Sequence, residues 1–495
     1  MDAHRLEWAR GWLAQPKRPY IDGACVDATG TEVFTNTNPA TGEVLAQVRS
    51  ASTADVDGAV AAARRAFVGG WRAVSRRQRA QVLRRIGAVV RAHRAELATL
   101  IALENGKLYR EAFDDDMPDT ADVFDYYAGW TDKLGGETCP VDGPFLNYTL
   151  REPLGVCALI APWNYPLLLA AWKLAPALAM GNTAVLKPSP FTPFSLLRLI
   201  ELLHDDDVLP PGAVNVVLGD APVGEALTRH GDVDGISFTG STTVGRQVLR
   251  GAADSNLKRV ALELGGKSPN IVFADVPDLD FAVARSFQLM FAQKGEKCSE
   301  PTRFLIQRPL YDAFVARLAA LADAVVCGDP FDSASQQGAQ CNRPQFAKIL
   351  EAIDIAKAEG ARLRAGGAAD TRGANARGLF MRPTIFDEVQ PHMRIARDEV
   401  FGPLLAVLPF DSDADAVRLA NDGAYGLAAG LWTADLARAH RLAAQLDAGM
   451  VFINRYGCYD FASPFGGVKQ SGWGKDMAVH SLESYTRLKS VWVAL

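Results

Sequence analysis

The sequence predicts an α/β fold in two domains, and three observations carry that prediction. A chain of 495 residues exceeds what a single hydrophobic core ordinarily supports. Short apolar runs alternate with helical stretches in two separate series, the pattern of parallel strands joined by crossover helices. Two further segments, FLNYTLRE at 145–152 and YTRLKSVWVAL at the C-terminus, alternate in polarity with no helix beside them and belong to neither series.

Near the N-terminus, Val56, Val60, Ala63 and Phe67 recur at helical spacing after a Ser-Thr-Ala-Asp opening, so a helix is expected from Ser52 to Phe67. Ala-, Arg- and Leu-rich helix follows to about Glu104. From Gly155 the runs GVCALIAPW, TAVLKPS, AVNVVLG, GISFTG and RVALELGG each read as a buried strand closed by a polar or glycine turn. The second series comprises SPNIVFAD, TRFLIQ, PTIFDEV, LAVLPF and GMVFIN. The two outlying segments would be exposed strand edges, an aggregation hazard unless paired, and a second subunit is the expected partner.

Composition removes several function classes. Apolar residues make up 48% and charged residues 22%, a balance that favours a globular chain over a disordered one. The net charge of -5 arises from interspersed signs with no basic tract, which argues against a nucleic-acid partner. The most apolar region, Leu154 to Met180, is interrupted by Pro162, Asn164, Pro166, Lys173 and Pro176, so it reads as buried core and not as a membrane span. The opening MDAHRLEWARGW lacks the apolar centre of a signal peptide. Seven scattered cysteines without CxxC spacing fit neither a disulfide framework nor a metal site, and suit a reducing cytoplasm.

Ligands of open α/β sheets bind beyond the carboxyl ends of strands, so the residues after each strand carry the chemistry. Gly240 and Gly245 in TGSTTVG flank a helix start where backbone amides can approach a pyrophosphate. Their spacing is not G-x-G-x-x-G, and a plain glycine-rich turn is an equal alternative. Lys187-Pro188-Ser189 offers a lysine to ribose or phosphate, though such a lysine is more often solvated. Glu263, closing an apolar strand, is awkward to bury unless paired or functional. Asn164, after another strand, can donate to a developing oxyanion. Cys298 lies in KGEKCSEPTRF, a charged loop where unpaired cysteines are unusual.

Together PWNYPL, KPS, FTGST, LELGGKSPN, GEKC, EVFGP and PFGGVKQSG resemble, in order and spacing, the motifs of the NAD(P)-dependent, non-phosphorylating aldehyde dehydrogenases. The resemblance runs from about Asn38 to the C-terminus. It implies that Cys298 attacks the aldehyde as a thiolate, that hydride passes to nicotinamide, and that water releases the acid. Asn164 and the Cys298 amide then form the oxyanion hole, Glu263 is the general base, and Lys173 supports its proton path. Lys187 and Ser241 match the adenosine-ribose and pyrophosphate contacts, and Ser189, Gly240, Gly245 and Leu264 join them on the cofactor surface. Glu399, Phe401 and Trp163 fall to the nicotinamide end. The implied cofactor is NAD. NADP stays open because Pro190 stands where NAD-preferring members commonly carry a glutamate.

The implied fold is a Rossmann-type dinucleotide domain (1–140 and 158–265), a catalytic α/β domain (266–470) and a small β oligomerisation sheet (141–157 and 475–495). That sheet would pair subunits into a homodimer or a tetramer built from dimers. An acyl-CoA-forming or phosphorylating relative is the alternative, against which Glu263 speaks. Tyr165, Trp172, Tyr459 and Phe465 match positions lining the substrate tunnel. Asp116 and Asp119, in EAFDDDMPD, align with acidic residues of the betaine-aldehyde and aminoaldehyde dehydrogenases and imply a cationic aldehyde; the bland alternative is a solvated helix face. Lys297 points instead to a semialdehyde bearing a carboxylate, and a neutral aldehyde competes with both. Lys294 and Lys297 are expected to favour the thiolate, and Glu300 to oppose them or pair with them.

Overall fold

Strands apolar on both faces must be covered on both faces, and that requirement organises the chain. In the computed structural model, which describes residues 3–495, Val156–Ile160, Thr183–Lys187 and Gly235–Thr239 are buried throughout. They occupy the middle of an eight-stranded sheet with Val214–Val216 outside Thr183–Lys187 and Arg259–Glu263 outside Gly235–Thr239. These five strands, all expected from sequence, are mutually parallel. The chain first steps outward from Val156–Ile160 in one direction and then returns to its other side at Gly235–Thr239, which creates a switch point between the two strands. Short antiparallel strands, Tyr20–Ile21 with Ala24–Cys25 and Gly472–Trp473, extend the two edges. They are too short to carry a readable period.

The second sheet has seven strands, running Arg362–Ala365, Thr384–Asp387, Leu404–Phe410, Arg303–Gln307, Pro269–Val272, Ala428–Trp432 and Met450–Ile453. Five of these were legible as apolar runs. Ala428–Trp432 was not, because AAGLW contains no β-branched residue; it is nevertheless buried at every position between two parallel neighbours. Arg362–Ala365 is a mostly exposed, antiparallel edge strand with two arginines, a composition that discourages further pairing.

The expected N-terminal helix forms as Thr53–Gly69, opened by a capping box in which Ser52 and Asp55 satisfy each other's backbone amides. The following helical stretch divides at His93 into Arg76–Ala92 and Arg94–Asn105. The helix Pro166–Ala179 is buried at all fourteen positions, in line with core packing of the apolar segment. No helix among the described residues is long and apolar enough to cross a membrane.

The two outlying segments pair with each other. Thr486–Ala494 runs antiparallel to Phe145–Pro153 over nine residue pairs, and Thr138–Cys139 adds a third strand. Within the chain, therefore, the two segments cover one edge of each other, and Thr486–Ala494 keeps its outer edge free of strand pairing among the described residues. Leu146, Leu150, Leu488 and Trp492 stay exposed on this small sheet.

Candidate active site

The switch point places two strand ends side by side. Val156–Ile160 runs out into Pro162-Trp163-Asn164, and Gly235–Thr239 into Gly240-Ser241. Between them opens a cleft of about 140 Å3 whose walls include Trp163, Thr239, Gly240, Ser241, Leu264, Glu399 and Phe401. The helix Thr242–Ala253 starts here, with Ser241 Oγ accepting from the Val244 amide at 3.3 Å. Gly245 permits close packing, since a Cβ there would stand 2.6 Å from Leu264 Cδ2. Thr239 Oγ1 is buried without a hydrogen-bond partner.

Glu399 accepts the Gly266 amide at 2.8 Å, and burial pushes its carboxyl up. A Cβ on Gly265 would lie 2.2 Å from Glu399 Oε2, so only glycine admits the carboxylate. Phe401 adopts the left-handed conformation at φ 64°, a costly one for a bulky residue. Gln345 holds that turn by donating to the Val400 and Phe401 carbonyls at 2.6 and 2.8 Å. The Phe401 ring meets Trp163 edge-on at 5.3 Å. Lys187 and Ser189 do not line this cleft; they lie at the end of the adjacent strand. Lys187 is buried, not solvated: its Nζ reaches only the Pro188 carbonyl, at 3.3 Å, and burial lowers it to about 8.

A second cavity, of about 340 Å3, shares Asn164 and Cys298 with the first. Tyr165, Trp172, Tyr459 and Phe465 wall it, with Phe465 5.0 Å from Trp172 and 6.0 Å from Tyr459 between ring centroids. Asp115, Asp116 and Asp119 all lie on its wall, where the chain makes one wide π-helical turn over Ala112–Asp116. The Asp116 carboxylate is not available to a ligand's charge. Lys107, itself fully buried and 4.1 Å from the Tyr165 ring, donates to it at 2.5 Å. Asp115 and Asp119 have no ion-pair partner among the described residues, and burial and mutual repulsion raise Asp119 to about 6.

The charged loop around Cys298 is mostly buried, which its composition conceals. Gln293 and Lys294 both take left-handed backbone angles, at φ 51° and 61°. Lys294 is turned away from the thiol, contrary to the sequence expectation. Its Nζ donates to the Asn105 carbonyl and Oδ1 at 2.8 and 2.9 Å and pairs with Glu296 at 2.8 Å. Asn105 in turn donates to the Trp163 carbonyl, while Asn164 Nδ2 donates to the Glu296 carbonyl at 2.9 Å. Lys297 instead lines the cavity, 4.5 Å from the Tyr459 ring centroid. Glu300 is 2% exposed, pairs with neither lysine, and is pushed by burial to about 8.

Burial, then the charges of Glu263 and Glu399, push the Cys298 thiol up, and Lys297 opposes them. Glu263 ends the strand Arg259–Glu263 with both carboxyl oxygens buried and unbonded. Burial, and then Asp476, raise its carboxyl well above the ordinary range. Lys173 does not bond Glu263 as a direct proton path would require; its Nζ donates to Asp476 Oδ2 at 2.9 Å. Asp476 itself was missed in the sequence. Its place depends on paired backbone bonds with Phe465, which no local pattern announces.

Comparison with known proteins agrees with this geometry. Residues 25–491 match the model of the aldehyde dehydrogenase family. The chain is 44% identical over 479 residues to human "Aldehyde dehydrogenase, mitochondrial", covering 96% of this chain and 91% of that one. It is 42% identical to human "Retinal dehydrogenase 2" with the same coverage. Among solved structures, the NAD+ complex of an aldehyde dehydrogenase from Bacillus cereus superposes with a TM-score of 0.95 at 41% identity, over 100% of this chain and 99% of that one. The chain belongs to the aldehyde dehydrogenase family.

Proposed function

We propose that the chain oxidises an aldehyde to its acid with NAD, through a thioester on Cys298. One observation carries this: the two cavities meet at a single thiol, with the Asn164 amide beside it. The cleft suits a dinucleotide. It presents an unpartnered Thr239 hydroxyl, small residues at a helix start, and a carboxylate, Glu399, held by the chain and suited to ribose hydroxyls. Lys187 and Ser189 would serve the adenosine side. NAD bound there supplies a hydride acceptor. Pro190 leaves no carboxylate at that position to repel a 2′-phosphate, so NADP is the second candidate.

The Cys298 thiolate attacks the carbonyl carbon, and the S–C bond forms as charge moves to oxygen. Asn164 has one amide hydrogen engaged with the Glu296 carbonyl and a second free to join the Cys298 amide in stabilising that oxygen. After oxidation, Glu263 takes a proton from water, whose oxygen attacks the thioester and releases the acid and the thiol. Asp476, held by Lys173, raises the Glu263 carboxyl through its field, which makes it a stronger base once ionised.

For the substrate, the wall favours an aldehyde with an aromatic or aliphatic body and a distal cation. Asp115 and Asp119 crowd each other with no close ion-pair partner among the described residues, since Lys107 and Lys297 act on them only from a distance, and a ligand ammonium relieves that repulsion. Lys297 favours the second candidate, a carboxylated semialdehyde. The exposed apolar residues of the small sheet support a homodimer or dimer of dimers, and seven free thiols suit a reducing cytoplasm. NADH formation tests the central claim. Cys298→Ala is expected to abolish it and Cys327→Ala to leave it intact; activity retained by the first variant refutes the nucleophile.

A further inference from the structure

The thiol stands among carboxyl groups. Glu263 approaches from the end of one sheet, Glu399 from the turn before Leu404–Phe410, and Glu300 from two residues further along its own loop. Tyr456 and Tyr459 face the same loop, and Tyr456 donates to the Ser299 carbonyl at 2.9 Å. Each of these groups, when ionised, disfavours a thiolate. Lys173 and Lys475 act on Glu263, Lys267 and Lys348 on Glu399, and Arg285 on Glu300, while the cation that acts on the thiol itself is Lys297. Lys294, the other lysine of the loop, is spent on Glu296 and Asn105.

We infer that Lys297 is the counter-ion of the Cys298 thiolate, held beside it on the face of Tyr459. This rests on Cys298 being the nucleophile. Three observations support it. Lys297 shares the wall of the cavity with the thiol. Its ammonium lies 4.5 Å from the centroid of the Tyr459 ring, whose hydroxyl is fixed by Ser299 Oγ at 2.8 Å. No carboxylate oxygen lies within 4.0 Å of it among the described residues, and Glu300, Asp115 and Asp119 act on it only at longer range, so no direct ion pair cancels its charge. An ammonium over an aromatic face is attracted without losing its charge, whereas a salt bridge would cancel it.

The same setting answers a chemical objection. A neutral lysine beside an aldehyde site condenses with substrate, losing water to form an imine. Burial works against the charge, but Tyr459, Glu300 and Cys298 together more than offset it and hold Lys297 above the usual lysine range. A protonated amine has no lone pair for that addition.

Alkylation by iodoacetamide, followed by mass spectrometry of the Cys298 peptide across pH, reads the thiolate directly. The S–C bond forms as iodide leaves. Lys297→Gln is expected to move the midpoint upward by about one unit, an approximately tenfold slower reaction at pH 7, with Lys297→Arg staying within about threefold of the parent. Unchanged midpoints in Lys297→Gln overturn the inference while leaving the nucleophile intact. Enzyme that stays active after complete Cys298 alkylation overturns the nucleophile instead. Borohydride added with an aldehyde at pH 7 is expected to leave Lys297 unmodified; an adduct on Lys297 assigns it a different chemistry and refutes the counter-ion role.

Discussion

Lys294 and Glu296 form an ion pair at 2.8 Å with each side chain only 1% exposed. The pair bridges two segments that must keep register, because the Glu296 carbonyl holds Asn164 and the Lys294 ammonium holds Asn105 behind Trp163. Removing one partner of such a pair leaves a buried charge and typically costs about 3–5 kcal/mol. Lys294→Met should therefore lower unfolding free energy by about that amount in urea titration. The double variant with Glu296→Gln should recover part of it, and a loss in the double variant equal to or greater than the single one contradicts the pairing argument.

Asn164 offers a simpler measurement. Asn164→Ala removes one oxyanion donor and should reduce kcat/KM by about 100- to 1000-fold. Alkylation of Cys298 should be little changed, since the amide addresses the oxygen and not the sulfur. A fall in both would assign Asn164 to loop positioning alone.

Glu263 separates the two halves of the reaction. In Glu263→Gln the thioester should still form, so stopped-flow absorbance should show a burst of NADH near one equivalent per active site followed by a slow steady state. In the parent, the raised carboxyl means that the base gains its ionised form only as pH climbs well above the usual carboxylate range. The hydrolytic rate should accordingly rise with pH over a window displaced upward from about 4.3, the unperturbed glutamate value. A variant with no burst and no turnover would place Glu263 in thiol activation.

What could be read from the sequence divides along physical lines. Val156–Ile160 and its parallel neighbours were visible because burial on both faces forces continuous apolar runs. Ala428–Trp432 is just as buried, yet its alanines and glycine give no β signal. At the site, Asn164, Glu263 and Cys298 stood out as polar groups after strands or in an odd loop, and they do converge in space. The charges around them were not legible, since charge counts in a loop say nothing of direction. Lys294 and Lys297 are three residues apart, and one faces a buried carboxylate while the other faces the substrate cavity. Asp116 and Asp119 share the same ambiguity, settled only by Lys107, which arrives from nine residues upstream of Asp116.

That last difference yields a pH prediction for substrate choice. Asp116 is neutralised by Lys107 and Glu111 is engaged by the Leu108 and Gln293 amides, so the carboxylates on the cavity wall with no close donor are Asp115 and Asp119. Asp119 sits at about 6 because burial and neighbouring carboxylates disfavour its ionised form. A carboxyl group attracts a cation only when ionised, so KM for an aminoaldehyde should fall as pH rises through about 6, while KM for a neutral aldehyde of equal length stays flat. Asp119→Asn should flatten the first profile and raise KM for the aminoaldehyde at pH 7 by several-fold, on the scale of about 1 kcal/mol for a partly exposed charge pair. Equal kcat/KM for amino and neutral aldehydes in the parent, or an Asp119→Asn variant with both profiles unchanged, would make these carboxylates a solvated helix face and leave Lys297 as the charged group with the stronger claim on substrate.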